Sequence, residues 1–314
     1  MGAISCGFKS HPPQNQGSTE RLDPFSCVGW DLNPHYGIMS FMKRKLFCEI
    51  SPLTYYISEK KCIMMRKIRD LLTVNKFANT KREDDLEYVI CRHNSLIRRR
   101  LGNVDMRLQE NKAVNLSLTA PKINRILIRP GETFSFWHLA GKTSAKKGYK
   151  EGLTISGEHT RPGIGGGMCQ MTNLIHWMIL HSDMEIIEHH HHDGLDLFPD
   201  FKRQIPFGTG TSIVYNYLDY RFKNTTDRTY QLIVYTTPEY LCGELRADKP
   251  QNYKYHIKAE NEFFSRENGV VYRNGEIYRI KVDGRTGDRV EKKIIRKNHA
   301  KVLYDTSDLT VIST

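Results

Sequence analysis

A glycine-rich loop that runs directly into a helical apolar pattern is the strongest local constraint on this chain, in RPGIGGGMCQMTNLIHWMILHS (161–182). The spacing after the glycines predicts a helix with one face that carries Cys169, Asn173, Trp177 and Leu180. Consecutive glycines adopt backbone conformations closed to other residues and place no side chain beside the helix start. We therefore expect a tight junction of loop and helix, with Cys169 in the first helical turn.

This position would suit Cys169 as a nucleophile. The positive end of a helix dipole and its free backbone N–H groups favour a thiolate over a thiol. Gly165, Gly166 and Gly167 leave room for a carbonyl to approach, and the loop with Gln170 would meet the developing oxyanion. Two other interpretations stay open. The cysteine and glycines serve packing alone, or the loop binds phosphate, although the Lys-Ser/Thr of a P-loop is absent.

A base for the thiol is offered downstream by the histidine run in MEIIEHHHHDGLD (184–196), which has strand character. Successive side chains of a strand point to opposite faces, so His190 and His192 would share one face. Glu188 and Asp193 flank the run and are candidates to orient an imidazole. The sequence thus predicts a Cys–His pair with an acidic neighbour.

Two alternatives to the base role remain for these histidines. Cys169, His190 and His192 would form a zinc site with an open fourth position, which is chemically permissible. A solvent-exposed end of a polar strand is the other interpretation. The residues alone do not separate these alternatives.

Elsewhere the patterns predict a mixture of helices and strands. Apolar residues at helical spacing predict two helices between Ile63 and Leu101, with a break near Asn75 to Thr80. The segment 123–136 alternates around the turn Arg129-Pro130-Gly131, which predicts a strand on each side.

Further strands and turns are predicted towards the C-terminus. Alternation between Val214 and Leu245 predicts antiparallel strands. Asn268-Gly269, Asn274-Gly275 and Asp283-Gly284 each predict the turn of a hairpin, because Asn-Gly and Asp-Gly suit turns with positive φ.

The net charge is +12, from 47 Lys and Arg against 35 Asp and Glu. The charge is diffuse, and its two clusters, Lys43-Arg44-Lys45 and Arg98-Arg99-Arg100, are not interleaved with the aromatic residues of a single-strand binder. We expect a solvated basic surface and no nucleic-acid partner. A role at an anionic or membrane surface is the alternative.

The seven cysteines are odd in number and lack paired spacing, which favours a reducing compartment over a disulfide framework. No apolar stretch of about 18 residues is present, and the N-terminus lacks a signal-peptide pattern. The sequence therefore predicts a soluble chain without a transmembrane segment or a targeting signal.

Five segments resemble, in order, the VanW family, which is named from glycopeptide-resistance gene clusters. The block GGGMCQ is the most specific, and the similarity extends from about Met64 to the C-terminus. The segments are PGETFSFW (130–137), Lys-Gly-Tyr with Glu-Gly-Leu-Thr (147–154), GGGMCQMTN (165–173), Ile-Glu-x-His-x-His (187–192) and YLDYRFKNTTDRTYQL (217–232).

The resemblance implies a cell-wall function. Some members of the family are cysteine-dependent peptidoglycan transpeptidases that form L,D cross-links, and others are regarded as accessory vancomycin-resistance proteins. A transpeptidase would attack a stem peptide, expel its terminal D-alanine and pass the acyl group to an amine, without a cofactor. The implied partner is a peptidoglycan stem peptide or precursor. This activity lies outside the cytoplasmic membrane, whereas no export signal is visible, so the location stays open.

The resemblance also implies roles for particular residues. It makes Cys169 the nucleophile, His192 the preferred base and His190 the second candidate. The family segment typically reads Glu-Arg-His-x-His-Ser, and this chain has His189 for the arginine and Asp193 for the serine. Where many members carry Arg-Asp-Ala-Thr, this chain has Gly-Thr-Ser-Ile (210–213), so no role of that arginine is transferred.

Together these observations predict an α+β fold in four parts. Residues 1–38 are rich in Pro, Gly, Ser and Asn and predict a disordered lead. Residues 39–110 predict a helical preface, residues 111–248 a VanW-like α/β domain with the cysteine at its loop-to-helix junction, and residues 249–314 an antiparallel β-rich extension.

Overall fold

The computed structural model describes residues 47–73, 76–99, 105–156, 159–191, 194–200, 204–215 and 217–313. The predicted disordered lead, 1–38, lies outside these ranges. The chain divides into two compact units, Met1–Met64 and Met65–Thr314. The described part of the first unit consists of helix α1 (Phe47–Ile50) and the beginning of helix α2 (Pro52–Thr73). Among the helices of the described ranges, none combines the length and apolar character needed to cross a membrane.

Helix α2 confirms the first of the two helices predicted between residues 63 and 101, although it begins earlier. Ser51 Oγ accepts a hydrogen bond from the Thr54 N–H, and Pro52 occupies the first helical position, where its missing N–H costs nothing. The second predicted helix is wrong. Strand β1 (Tyr88–Leu96) stands there and pairs antiparallel with β10 (Tyr240–Ala247), so backbone pairing overrides the helical spacing.

The main sheet is antiparallel and has the strand order β1-β10-β9-β2, where β2 is Ile126–Ile128 and β9 is Tyr230–Thr236. Helix α3 (Met106–Ile123) packs on β9, and helix α5 (Cys169–Ile179) packs on β1 and β10. A Cβ on Gly243 of β10 would lie 2.7 Å from Met178 Cε and 2.8 Å from Leu174 Cδ2 of α5. Helix α5 therefore rests directly on the strand, and the core lies between the sheet and the two helices.

A three-stranded sheet stands beside the main one, with the order β3-β8-β6. Its strands are β3 (Thr133–Ser135), β8 (Arg221–Lys223) and β6 (Glu185–Glu188), and the short helix α4 (Phe136–Ala140) follows β3. The two strands predicted around residues 129–131 are confirmed, but β2 pairs with β9 and β3 with β8, so they belong to different sheets. The hairpin of β4 (Glu151–Ser156) and β5 (His159–Ile164) leads into the glycine loop.

The C-terminal region forms a five-stranded sheet with the order β14-β11-β12-β13-β7. Its strands are β7 (Leu195–Asp196), β11 (Tyr253–Glu267), β12 (Val270–Asp283), β13 (Arg289–Val302) and β14 (Val311–Ser313). The pairs β11–β12 and β12–β13 are antiparallel, as predicted, and short parallel pairs add β14 and β7 at the edges. The α+β fold class is confirmed.

Two of the three predicted hairpin turns are confirmed. Asn268 and Gly269 join β11 to β12 with φ of +49° and +81°, and Asp283 ends β12 at the next turn. The turn predicted at Asn274-Gly275 is wrong, because this pair lies inside β12 opposite a bulge of β11. A Cβ on Gly275 would lie 3.1 Å from Glu262 Cγ, so the bulge accounts for this glycine.

Candidate active site

Cys169 is the first residue of α5, as predicted, and directly follows the glycine loop. Its side chain is half-buried. Burial raises the pKa of the Cys169 thiol, and backbone hydrogen bonds at Ile213 and at Cys169 itself act in the opposite direction. Burial therefore acts against the ready thiolate that the sequence predicts, because lost hydration outweighs the backbone dipoles. The thiol needs a proton acceptor before it attacks.

Close packing requires the three glycines before Cys169. Gly165 and Gly167 have φ of +77° and +94°, a region in which other residues are strained. A Cβ on Gly166 would lie 2.3 Å from the carbonyl oxygen of Gly152, and a Cβ on Gly167 would lie 2.2 Å from Lys112 Cγ. Packing thus accounts for the glycines without an oxyanion, and the oxyanion role stays a prediction.

A polar face of α3 holds the glycine loop, although the sequence analysis assigned no element to residues 111–122. Asn115 Nδ2 donates to the Gly166 carbonyl at 3.0 Å, and Thr119 Oγ1 lies 3.3 Å from Met168 Sδ. Lys112 precedes Asn115 by one helical turn, and all three side chains of this face are buried. Polar residues at i, i+3 and i+7 between apolar ones were the signal for this face.

Lys112 is the member of this face closest in sequence to the start of α3, and it is only 7% exposed. Its aliphatic stem lies against Gly167. Burial, together with the positive charges of Arg99 and Arg98, lowers the pKa of Lys112 to about 7. Within the part of the chain that the structure describes, the Lys112 ammonium makes no hydrogen bond or ion pair, and its Nζ is not among the fully buried polar atoms, so the stem is buried and the charged end reaches solvent. No sequence pattern had singled out this residue.

Gln170, predicted to lie with the oxyanion loop, joins α5 to β1. Its Nε2 donates to Ser95 Oγ and to the Leu96 carbonyl, both at 2.9 Å. An amide nitrogen has two hydrogens, so both are used and neither is left for a substrate oxygen. The contribution of Gln170 in this structure is to fix the position of the helix start.

Glu188 contacts His190, as predicted for an orienting residue, with His190 Nε2 at 3.0 Å from Glu188 Oε1. The Glu188 carboxylate also accepts a hydrogen bond from Arg66 Nη2 at 2.7 Å and one from the Asp219 N–H at 2.8 Å. Burial acts to raise the pKa of Glu188, but the hydrogen bonds from His190 and Arg66 outweigh it and lower the pKa to about 2. Since an ionised carboxylate only accepts, Nε2 of His190 donates to Glu188, and in the neutral imidazole Nδ1 is then the acceptor.

A largely buried ion network around Arg221 adjoins the His190–Glu188 pair. Arg221 donates to both carboxylate oxygens of Asp70, at 2.6 and 2.8 Å, and its Nε lies 2.7 Å from Asp219 Oδ2. The same Nε lies 3.5 Å from Glu188 Oε2. Arg66 and Asp70 stand one turn apart on α2, so the end of this helix is bound to β6 and β8. Sequence reasoning missed these partners because they are distant along the chain.

Residues 210–213 connect the histidine run to Cys169. The Ser212 N–H donates to the His190 carbonyl at 2.6 Å. The backbone of the next residue, Ile213, acts to lower the pKa of the Cys169 thiol. Adjacent residues of one segment thus bond to the His190 backbone and act on the nucleophile predicted from sequence.

His189 and His191 share one cluster of rings whereas His190 contacts Glu188, which agrees with the predicted alternation, although β6 ends at Glu188 and the histidines lie outside it. Their ring centroids are 4.0 Å apart, and the His176 ring of α5 lies 4.1 Å from that of His189. His176 Nδ1 is 3.0 Å from the Tyr220 hydroxyl. Burial, with the charges of His189 and His191, lowers the pKa of His176 well below its usual value. These rings form a packed, largely buried cluster.

The preferred base, His192, and the second orienting candidate, Asp193, lie outside the described residues, so both roles stay predictions. Within the described ranges, no three His, Cys, Asp or Glu side chains are grouped to hold a metal ion. The zinc alternative requires His192 and is therefore not tested.

A family model and a curated relative point to the same family. The family model described as VanW like protein matches residues 111–246. The vancomycin B-type resistance protein VanW of Enterococcus faecalis (strain ATCC 700802 / V583) is 34% identical over 228 residues, which cover 73% of this chain and 82% of that protein. The uncharacterized protein YoaR of Bacillus subtilis (strain 168) is 27% identical over 118 residues, which cover 37% of this chain and 36% of that protein. No solved structure matches the chain significantly.

Proposed function

Because this chain belongs to the family of VanW-like proteins, we propose that it is a cell-wall protein of the vancomycin-resistance type that transfers peptide acyl groups through Cys169. The proposed reaction is L,D cross-linking of peptidoglycan stem peptides. The observation that carries the proposal is the position of Cys169 at the start of α5, directly after the glycine loop, where the backbone at Ile213 acts to lower the pKa of its thiol. The His190–Glu188 pair on the adjoining segment supports it.

The first step forms a thioester. A histidine takes the proton from Cys169 Sγ, and the sulfur attacks the carbonyl that joins the stem to its terminal D-alanine. The tetrahedral intermediate then breaks its C–N bond, and the imidazolium returns the proton to the departing D-alanine amine. Backbone N–H groups near the sulfur would stabilise the oxyanion of that intermediate.

The second step releases the acyl group. The amine of a neighbouring stem attacks the thioester carbonyl, the C–S bond breaks, and the thiolate recovers the proton that the amine loses. Water in place of the amine gives hydrolysis. One site therefore produces either a cross-link or a trimmed stem, depending on which nucleophile reaches the thioester.

The base is proposed to come from the histidine run. His190 is the member whose ring orientation the described contacts explain, because the ionised Glu188 holds its Nε2 and leaves Nδ1 to accept a proton. His192, which the family resemblance prefers, is the other candidate. Separate His190→Gln and His192→Gln variants assign the role to the one whose loss slows thioester formation.

Intact-mass spectrometry after incubation with disaccharide-tetrapeptide muropeptides tests the proposal. Wild type should gain the mass of the stem less D-alanine, or release a cross-linked product, and Cys169→Ala should do neither. Cys91→Ala is the matched control, because Cys91 is a half-buried cysteine on β1 whose pKa burial raises to about 11. Turnover by folded Cys169→Ala would refute the nucleophile, and no adduct or product with reduced, folded wild type would refute acyl transfer.

The raised pKa of Cys169 favours a second candidate, an accessory protein that binds cell-wall precursors without turnover. Such a protein would retain muropeptides equally well as wild type and as Cys169→Ala, and neither would form an adduct. Equilibrium binding of both proteins to the same muropeptide separates the two candidates.

A further inference from the structure

Three basic residues lie close together beside the loop that precedes Cys169. They are Lys112 on α3 and Arg98 and Arg99 beyond β1, and the fields of both arginines act on the Lys112 ammonium. The Lys112 stem contacts Gly167, which stands two residues before Cys169. Two residues span at most about 7 Å, so the stem of Lys112 contacts the backbone that leads directly into the nucleophile.

Arg98, one of the two arginines of this cluster, forms an ion pair with an acid of α3. Arg98 Nε donates to Glu110 at 2.6 Å, and Glu110 is the acid that α3 places beside it. Arg99 donates to the Leu96 carbonyl at 3.3 Å and to Ser95 Oγ at 3.4 Å. Lys112 is only 7% exposed, and the described residues supply its ammonium with neither a carboxylate nor another acceptor.

An ammonium in this state, with a buried stem and an unpaired charged end, gives the fold little. A lysine that only filled space here would be replaced without loss by methionine, since a partly desolvated and unpaired charge opposes folding. A cation that the protein leaves unpaired, with its end within reach of solvent, is instead suited to a ligand that brings the anion. The short stem contact with Gly167 fixes the side chain at the loop.

We propose that Lys112 binds a carboxylate group of the substrate beside Cys169. This inference rests on the proposed function and names the recognition element of the same site. The matching carboxylate is that of the terminal D-alanine, because it lies about 4 Å from the scissile carbonyl by standard bond lengths. Lys112 would thus hold the residue that leaves, and it would select stems with a free C-terminal carboxylate over amidated or extended ones.

Alkylation of Cys169 by two reagents of similar size tests the charge at this position without a cell-wall substrate. Iodoacetate carries a carboxylate and iodoacetamide is neutral, and both react with the thiolate. The ratio of their rate constants at Cys169 therefore cancels any change in the thiolate fraction. Peptide mapping assigns the rates to single cysteines in the full chain, so Cys91 serves as an internal reference.

Lys112→Met should lower the iodoacetate-to-iodoacetamide ratio at Cys169 by about fivefold or more at low salt and pH 6, since a nearby buried charge is weakly screened. The Cys91 ratio should not change. Lys150→Met removes the same charge from an exposed side chain whose backbone also bonds to the glycine loop, and it should leave both ratios unchanged. In wild type the Cys169 ratio should fall as the pH rises through about 7, where Lys112 loses its proton beside Arg98, Arg99 and Glu110.

An unchanged Cys169 ratio in folded Lys112→Met would overturn the proposal. A second measurement addresses the carboxylate itself, with N-acetyl-D-alanine and its amide as competitors of iodoacetamide. The acid should protect Cys169 in wild type and lose its advantage in Lys112→Met. Equal protection by acid and amide, including none by either, would overturn the assignment to a carboxylate.

These outcomes are separable from those of the proposed function. A Lys112-dependent alkylation ratio without any muropeptide adduct would leave the carboxylate site standing and refute acyl transfer. Conversely, a muropeptide adduct that Lys112→Met forms as well as wild type, from the acid and its amide alike, would confirm acyl transfer and refute the role of Lys112.

Discussion

Glu188 and Lys112 are two largely buried ionisable groups that the fold surrounds in opposite ways. Glu188 has donors around its carboxylate, from Arg66, His190 and the Asp219 backbone, and its pKa falls to about 2. Lys112 has two arginines in its neighbourhood, and its pKa falls to about 7. Burial penalises both charges, but partners stabilise the charge of Glu188 and oppose that of Lys112.

This difference assigns a structural role to Glu188 and its partners and a binding role to Lys112. The Glu188 side is internally satisfied, which fixes the orientation of His190 and attaches α2 to β6 and β8. The Lys112 side holds the backbone of the glycine loop by packing and leaves its charge without a described partner. Removing each group should therefore change stability in opposite directions, and the following variants test this contrast.

Glu188→Ala should cause the largest loss of stability, about 3–5 kcal/mol, because it leaves the largely buried Arg66 without a carboxylate and removes one of the three acids around Arg221. Chemical denaturation monitored by circular dichroism measures the loss. Glu185→Ala is the control, since Glu185 is an exposed acid on the same strand and should change stability by less than about 0.5 kcal/mol. Equal losses in the two variants would show that the ion network does not stabilise the fold.

Gly167→Ala should cost about 1–3 kcal/mol, because its φ is +94° and the added Cβ would lie 2.2 Å from Lys112 Cγ. The contact part of this loss should disappear in a Lys112→Ala background, and the backbone part should remain. A double-mutant cycle of unfolding free energies measures the coupling. Strict additivity would mean that Lys112 does not press on Gly167.

Lys112→Met should be the mildest change and the one with opposite sign, a gain of about 1 kcal/mol near pH 6. The folded-state pKa of Lys112 is about 7 against an ordinary 10.5, so above pH 7 the unfolded chain binds the additional proton. Wild-type stability at this site therefore rises from about pH 7 towards pH 10. The advantage of the variant should shrink across that window, as measured by denaturation at several pH values.

A constant difference between Lys112→Met and wild type from pH 6 to pH 10 would contradict this assignment. Lys150→Met again provides the control, because an exposed lysine should show no such pH-dependent difference.

The junction around Cys169 was predictable from sequence because its signals are local. Three glycines followed by apolar residues at helical spacing place the start of α5 at Cys169, as found. The Asn268-Gly269 turn was equally accessible, since two residues with positive φ decide it. Asn274-Gly275 shows the limit of this reasoning. The same type of residue pair stays inside a strand because a bulge of the neighbouring strand lies close against the glycine, which has no side chain.

Strand β1 and helix α3 show what sequence reasoning did not reach. Residues 88–96 have helical spacing of apolar residues but form a strand, because they pair with β10. That partner is distant in the chain, so the local sequence does not predict the pairing. Helix α3 carries Pro121 near its end and a stripe of polar residues, which masked its helical pattern. Its polar face is buried because it binds the glycine loop, so its meaning depends on a contact that only the fold creates.

The sequence by itself determined the family, the α+β class and the cysteine at the start of a helix, because turn residues and hydrophobic periodicity act over a few positions. Only the tertiary structure decided which charged groups meet. Arg66 reaches Glu188 across 122 residues of chain, and Lys112 reaches Gly167 from another helix. Burial, which sets the pKa of Cys169, Glu188 and Lys112, is a property of the packed molecule, and no local pattern encodes it.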